Sequence, residues 1–177
     1  MKHPVTKSDI LAALESNART IVEYFSSLAE RRFFDGDPDH WSPAHHLTHL
    51  TQASISVERV LRPGASPLHP TPRSRTYAEV RDAAAAAVAA TPKATLLDLG
   101  RVVAIAPGTT QEQVVRAFES VSAKFRKAAE AWSEEAIDRH ALRHPLVGQM
   151  TVREMLYFFV VHERHHLKLV RTREERP

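Results

Sequence analysis

The chain has 177 residues, contains no cysteine and carries 24 Lys+Arg against 21 Asp+Glu. Its hydrophobic content of 43% and charged content of 25% are typical of a globular protein and argue against extended disorder. The lack of cysteine excludes a disulfide framework, a thiolate nucleophile and a Cys-ligated zinc site. A net charge of +3 is too small to predict a nucleic-acid-binding surface, so no nucleic-acid partner is expected.

The longest strongly apolar stretch, residues 155–161, is far shorter than the roughly 20 residues that span a bilayer. The chain begins Met-Lys-His-Pro, which starts no apolar signal segment. We therefore expect a cytoplasmic protein without a membrane partner, folded as one domain over residues 1–177.

Five segments with helical periodicity follow one another along the chain, at residues 7–32, 43–61, 77–90, 111–136 and 152–172. Four of them follow a threonine that precedes an acidic or amide residue by three positions, a pattern that caps two backbone N–H groups reciprocally. These threonines are Thr6, Thr76, Thr110 and Thr151. The remaining segment begins at Ser42-Pro43, where serine caps and proline takes the first helical position.

The connections predict loops rather than a sheet. Residues 62–75 contain four prolines, and residues 144–148 predict a turn. Residues 94–106 fit either a short helix or a strand. Four long amphipathic helices and a shorter one favour an all-α bundle.

Two histidines lie in the apolar stripe of the last predicted helix. His162 and His166 follow Phe159 at helical spacing and stand one turn apart on one face, where both imidazoles can reach one ion. Ordinary buried histidines are the alternative, but each would then need a polar partner of its own. The spacing therefore favours a metal site.

A third ligand must come from elsewhere, and the second predicted helix offers His45, His46 and His49. Helical periodicity places His46 inside the apolar stripe, His49 at its edge and His45 toward solvent. Periodicity thus favours His46 slightly and leaves His49 open.

Residues 162–166 also match H-E-x-x-H, the helix motif of zinc peptidases, with Glu163 as the general base. The longer form of that motif needs glycine and histidine where this chain has Leu169 and Thr172. A zinc peptidase is therefore a minor alternative, and we expect Glu163 to be a solvated carboxylate or a supporting group beside the site.

Two segments together resemble the DinB-like (YfiT-like) family of four-helix-bundle metal proteins. The first is Trp41-Ser42-Pro43 followed by Leu47-Thr48-His49-Leu50. The second runs from the His-Pro-Leu-Val-Gly turn at 144–148 through Tyr157-Phe158-Phe159 to the H-x-x-H-H ending at 162–166. The resemblance implies an up-down-down-up bundle with a long crossover between the second and third helices. Residues 62–108 fit that crossover, with the 77–90 helix as an extra short helix.

The same resemblance implies a mononuclear divalent metal ion held by His49, His162 and His166. Zinc or nickel is the expected ion, with iron or manganese as further options, and a low-molecular-weight thiol is an expected co-substrate. It also implies a small-molecule substrate and a homodimer. The remaining candidates for supporting roles are His45, His46, Gln52, Glu163 and His165.

Two function classes follow. As an enzyme, the protein would activate a thiol or water nucleophile, as a thiol-dependent S-transferase or a hydrolase. As a binding protein, it would be a stress-related bundle that holds a metal or a small molecule without catalysis.

Overall fold

Long helices dominate the computed structural model, which describes residues 3–37, 40–61, 66–70, 73–92, 95 and 104–174. In chain order the elements are α1 (Lys7–Ser27), α2 (Glu30–Phe33), α3 (Pro43–Glu58), α4 (Tyr77–Ala90), α5 (Gln111–Glu130), α6 (Ala136–Arg139), β1 (Ala141–His144), β2 (Gly148–Thr151) and α7 (Val152–Glu174). The predicted all-α fold is confirmed. Most of residues 94–106, which fitted either a helix or a strand, lie outside the described residues. Within the described part of the chain, none of the helices combines the length and apolarity needed to cross a membrane.

Capping side chains fix where the long helices begin, as the sequence predicted. The side chains of Thr6, Thr76 and Thr110 each accept a hydrogen bond from the backbone N–H of the third residue of the helix. The side chain of that third residue accepts a hydrogen bond from the backbone N–H of the threonine. Thr151 and Glu154 exchange the same pair of bonds at 3.1 and 3.3 Å. Ser42 caps α3 without the reciprocal bond, since its side chain accepts a hydrogen bond from the backbone N–H of His45. Local chemistry therefore sets the starts of both α3 and α7.

The helix ends differ from the prediction. The segment predicted at 7–32 is interrupted at Leu28, whose backbone is extended, so α1 and α2 are separate helices. The predicted segments 43–61 and 111–136 end earlier, at Glu58 and Glu130. These ends lack strong stop signals such as glycine, which explains why periodicity alone extends them too far.

A short hairpin connects α6 to α7, and the sequence analysis predicted only its turn. β1 pairs antiparallel with β2, from Ala141 opposite Thr151 to His144 opposite Gly148. Gly148 has a φ of 81°, a conformation that residues with a side chain rarely adopt, and it closes the loop of residues 145–147. Because β2 ends at Thr151, the hairpin also sets the position at which α7 starts.

Contacts at the two helix ends show that α1 and α5 are antiparallel. The backbone N–H of Lys7, at the start of α1, donates to the carboxylate of Glu134 just beyond α5 at 2.9 Å. At the other end, the side-chain amide of Gln111 donates to the carbonyl of Phe25 at 2.6 Å.

The direction of α7 completes the topology. Later residues of α7 contact later residues on the α1 side of the chain: Tyr157 contacts Val5, and Val160 contacts Asn17. Toward α3 the order is reversed, since His162 contacts His49 and His166 contacts His46. Helix α7 is thus parallel to α1 and antiparallel to α3, which gives the up-down-down-up order. Helices α5 and α7 each pack against α1 and α3, and α4, from the crossover, packs against α7.

The buried side chains form two hydrophobic clusters along the bundle. One includes Leu14, Phe125 and Phe159, and the other includes Phe118 and Val170. His162 and His166 lie on α7 between Phe159 and Val170. These two histidines therefore lie between two hydrophobic clusters, where a buried polar atom without a partner would destabilise the fold.

Candidate metal site

Helices α3 and α7 bring four histidines together from positions far apart in the sequence. His46 and His49 are three residues apart on α3, and His162 and His166 are four residues apart on α7, so each pair shares a helix face. Because the two helices are antiparallel neighbours, the earlier histidine of one pair faces the later histidine of the other. The cluster is largely closed to solvent, with His166 only 8% exposed.

Three of these side chains direct the same ring atom toward one point. The Nε2 atom of His162 lies 3.0 Å from the Nε2 atom of His49 and 3.0 Å from the Nε2 atom of His166. All three ligand atoms lie within 4.8 Å of one another. These are the three residues that the family resemblance indicated, and the structure groups them as a set that could hold a metal ion.

His46 contacts the opposite side of His166. Its Nδ1 atom lies 2.8 Å from the Nδ1 atom of His166, so the two rings are joined by a hydrogen bond away from the converging nitrogens. Helical periodicity favoured His46 slightly over His49 as the third member of the group. The structure instead places His49 in the group of three and His46 behind it.

Aromatic side chains hold the imidazole rings in place. Trp41 lies parallel to His166, with ring centroids 6.1 Å apart, and also contacts His46 and His49 at 5.3 and 5.2 Å. Phe158 stacks on His162 at 5.2 Å. Trp41 begins the sequence motif that leads to His49, but the motif alone did not predict its contacts with the imidazole rings.

Burial keeps the clustered imidazoles neutral. Desolvation lowers the pKa of His49 to about 4, and desolvation together with the neighbouring histidines lowers the pKa of His46 to about 3. The pKa values of His162 and His166 fall well below their usual range, mainly because both rings are buried and secondarily because of the other histidines. Neutral imidazole is the form that binds metal ions, so the cluster is ready for a cation at neutral pH.

The donor set fits a divalent ion. A neutral imidazole has one N–H and one lone pair, so the Nε2 atom of His162 can satisfy one of its two 3.0 Å neighbours by a hydrogen bond. At least one of the two Nε2–Nε2 contacts is then left without a proton between the nitrogens. A cation bound among the three Nε2 atoms would satisfy the lone pairs of all three. Two imidazole nitrogens on one tetrahedral zinc ion stand about 3.3 Å apart, given Zn–N bonds of about 2.0–2.1 Å, which is close to the observed spacing.

Glu163 faces a different helix from the histidines. Its carboxylate accepts a hydrogen bond from the side-chain amide of Asn17 on α1 at 3.1 Å, and the residue is 3% exposed. The expectation of a solvated carboxylate is therefore wrong, because α1 covers this side of α7. Burial raises the pKa of Glu163 to about 8. A carboxylate directed at α1 is poorly placed to act as the general base of an H-E-x-x-H peptidase.

A polar residue on the apolar stripe of α1 could have predicted this contact. Asn17 continues the spacing of Ile10, Leu14 and Ile21, all buried. An amide in such a stripe indicates a polar partner on the facing helix. Leu169, in contrast, follows His166 at helical spacing and is 44% exposed.

The remaining histidines near the cluster have other surroundings. The Nδ1 atom of His45 lies 2.7 Å from the hydroxyl of Ser42, and His45 is half-buried rather than turned fully to solvent. His165 is exposed. His144 packs on Phe158 at 4.2 Å, so it approaches the site through the ring that stacks on His162.

Comparisons with known proteins agree with this geometry. A sequence model of the DinB superfamily matches residues 13–170, which include most of α1, all of α3 and α5, and all four clustered histidines. Searches of curated proteins and of solved structures gave no match. On the strength of the family match, together with the bundle that carries it, this chain belongs to the DinB superfamily.

Proposed function

We propose that this DinB superfamily protein binds one divalent metal ion through His49, His162 and His166 and uses it to activate a thiol or water nucleophile. The observation that carries the proposal is the convergence of three Nε2 atoms from neutral imidazoles, of which His166 is buried and His49 and His162 are half-buried. Three protein ligands leave a coordination position for a small molecule, as in catalytic rather than structural sites.

The bound ion would act as a Lewis acid that lowers the pKa of a water or thiol placed at the open position. The chain's own residues hold the imidazoles neutral by burial and cover them with Trp41. Since the chain has no cysteine, a reacting thiol must come from a small-molecule substrate or co-substrate.

The choice of ion follows from the donor atoms. Imidazole nitrogen suits zinc, nickel, copper and iron, whereas magnesium, calcium and manganese prefer oxygen ligands. Zinc and nickel are the first ions to test, and manganese is the least favoured of the ions that the family resemblance suggested.

The alternative function is that of a non-catalytic metal-binding protein. A cavity of about 420 Å³ lies beside α3, lined by Phe34, His45 and residues 104–109. None of the three converging histidines lines this cavity. An enzyme would need a substrate cavity that reaches the open coordination position.

Elemental analysis of untagged protein tests the metal site. Wild-type protein should bind close to one equivalent of zinc or nickel, and His49→Ala, His162→Ala and His166→Ala should each lose it. His3→Ala serves as the control, because His3 is an exposed histidine that contacts Tyr77 rather than the cluster. The proposed site would be refuted if wild-type protein bound no divalent ion in the presence of excess zinc or nickel.

A second measurement separates the two functions. Zinc- and nickel-loaded protein is assayed for the loss of free thiol from a panel of low-molecular-weight thiols with electrophilic acceptors, and for hydrolysis of esters and amides. Turnover that disappears in His49→Ala supports the enzyme. Full metal loading without any turnover supports the binding protein.

A further inference from the structure

We propose that His46 is a positioning residue that fixes the tautomer and the ring orientation of His166. The inference rests on the proposed metal site, since it assigns the residue that prepares one of its three ligands. It concerns a contact on the far side of His166 from the converging nitrogens, at a position that the metal itself would not touch.

The argument starts from the contact between the two rings. The Nδ1 atoms of His46 and His166 are 2.8 Å apart, which is hydrogen-bonding distance, and a hydrogen bond needs a proton on one nitrogen and a lone pair on the other. When His166 donates, its Nε2 atom carries the lone pair and faces the Nε2 atom of His162. When His46 donates instead, the proton of His166 sits on Nε2 and points into the cluster.

Only the first arrangement leaves His166 able to bind a metal ion through Nε2. In that arrangement His46 accepts through Nδ1 and carries its own proton on Nε2. Metal-binding histidines usually donate their second N–H to a partner that holds the ring, and losing such a partner weakens metal binding by about 10–100-fold. His46 fills that role for His166.

The other ligand on α7 lacks this kind of support. The Nδ1 atom of His162 is buried, and within the described part of the chain it meets no hydrogen-bond partner. Stacking on Phe158 holds that ring instead. The two ligands of α7 are therefore held by different means, since the Nδ1 atom of His166 has a hydrogen-bonding partner on α3 and the Nδ1 atom of His162 has none within the described residues.

The nature of the partner has a consequence for charge. A carboxylate is the common partner of a metal-binding histidine, and it would offset part of the charge of a bound cation. His46 is a neutral imidazole, so it orients His166 without offsetting that charge. The full charge of the ion then remains available to a bound anion, such as a thiolate.

The test compares two substitutions of His46 in the full-length protein. His46→Leu keeps much of the volume and removes the acceptor, whereas His46→Asn places an amide oxygen near the position of Nδ1. Zinc affinity is measured by competition with a chromophoric chelator, and the absorption spectrum of the cobalt-loaded protein reports the ligand geometry. His3→Leu is the control, since His3 is an exposed histidine that contacts Tyr77 rather than the cluster.

We expect His46→Leu to weaken zinc binding about 10–100-fold, the usual effect of removing such a partner. His46→Asn should restore most of the affinity and the cobalt spectrum, and His3→Leu should match wild type. Unchanged affinity in His46→Leu would overturn the proposal. Equal losses in His46→Leu and His46→Asn would also overturn it, because the imidazole would then act as more than an acceptor.

A readout without metal separates this inference from the metal site itself. Long-range proton–nitrogen correlation NMR of the metal-free protein should show His166 protonated on Nδ1 in wild type and in His46→Asn. In His46→Leu the same ring should show a mixture of tautomers. A wild-type ring protonated on Nε2 would overturn the positioning role, whereas wild-type protein that fails to bind zinc would refute only the proposed function.

Discussion

The Nε2 atoms of His49 and His162 lie 3.0 Å apart, although 113 positions separate the two residues in the chain. The contact arises because the long crossover makes α3 and α7 antiparallel neighbours. The site is therefore a product of the closed bundle rather than of a local motif. Metal binding and folding should be linked, since an unfolded chain does not keep these nitrogens together.

The first prediction concerns acid stability of the metal-free protein. Burial holds the folded-state pKa of His49 near 4 and that of His46 near 3, below the value of 6.5 for an unperturbed histidine. As the pH falls below about 6.5, the unfolded chain takes up protons that the folded chain refuses, so the free energy of unfolding should decrease down to about pH 4. Urea unfolding at a series of pH values, with a chelator present, measures this slope.

His49→Gln is the matched variant for that experiment. It removes one titrating ring and should flatten the slope between pH 6.5 and 4. A variant with the full wild-type slope would contradict the assignment of the acid effect to the cluster.

The second prediction concerns the buried carboxyl of Glu163, whose pKa is raised to about 8 by burial. Below the unfolded-state pKa near 4.5 the carboxyl group is protonated in both states, and its contribution to stability is complete. Between about pH 4.5 and 8 only the unfolded chain ionises, so the free energy of unfolding falls until the pH reaches the folded-state value. Glu163→Gln keeps the acceptor for Asn17 and cannot ionise. The variant should match wild type at pH 4.5 and exceed it at pH 8, by at most about 5 kcal/mol at about 1.4 kcal/mol per pH unit.

Metal-free protein and chemical denaturation are used for this comparison, with Glu119→Gln as an exposed control. Wild type and Glu163→Gln share every histidine, so their difference isolates the carboxyl group. A difference that does not grow with pH would contradict the raised pKa.

The third prediction concerns the ion pairs at the start of α7. Arg153 donates to Glu134 at 2.6 Å, to Asp138 at 2.7 Å and to the carbonyl of Val5 at 2.8 Å. Arg153→Met keeps the apolar stem and should lower the free energy of unfolding by about 2–4 kcal/mol, because it leaves the partly buried carboxylate of Asp138 without its cationic partner and the carbonyl of Val5 without the guanidinium donor.

Arg139→Met is the control for that loss, since its pair with Glu135 is exposed on both sides. Exposed pairs contribute about 0–1 kcal/mol, so the control should stay within that range. Equal losses in the two variants would show that Arg153 contributes no more than a surface charge.

The fourth prediction uses the two tryptophans as reporters. Trp41 lies 5.2 Å from the ring of His49, whereas Trp132 donates to the carbonyl of Leu61 and contacts His140 near the start of α7. Nickel bound at the histidine cluster should quench the fluorescence of Trp41, because a paramagnetic ion would lie within a few ångströms of the indole.

Trp41→Phe should therefore abolish the nickel-dependent quenching, and Trp132→Phe should retain it. Circular dichroism confirms that both variants are folded before the titration. Quenching that follows Trp132 instead would place the bound nickel away from the histidine cluster.

The helix starts and the α7 histidines could be predicted from sequence because local chemistry determines them. Capping depends on residues three positions apart, and His162 and His166 share a face through their spacing alone. The order of the helices in space is not encoded in this way. It came from the family resemblance, and the cross-helix contacts now confirm it.

The roles of His46 and His49 depended on ring orientation, which helical periodicity does not supply. Periodicity gives the direction of a Cβ atom, whereas the position of Nε2 also depends on two side-chain torsions. The burial of Glu163 was missed for a related reason, since it depends on Asn17 from a helix far away in sequence. The strands around residues 145–147 were missed because each has only four residues.

Helix α7 is attached to its neighbours by polar contacts near both of its ends. Arg153 holds its first turn to Val5 and to the segment before β1, and His162 and His166 hold its second half to α3. Fraying from either end should therefore stop at these attachments. Backbone amides between Arg153 and His166 should exchange with solvent deuterium only when the whole bundle opens, which makes this interval the slowest-exchanging part of the protein.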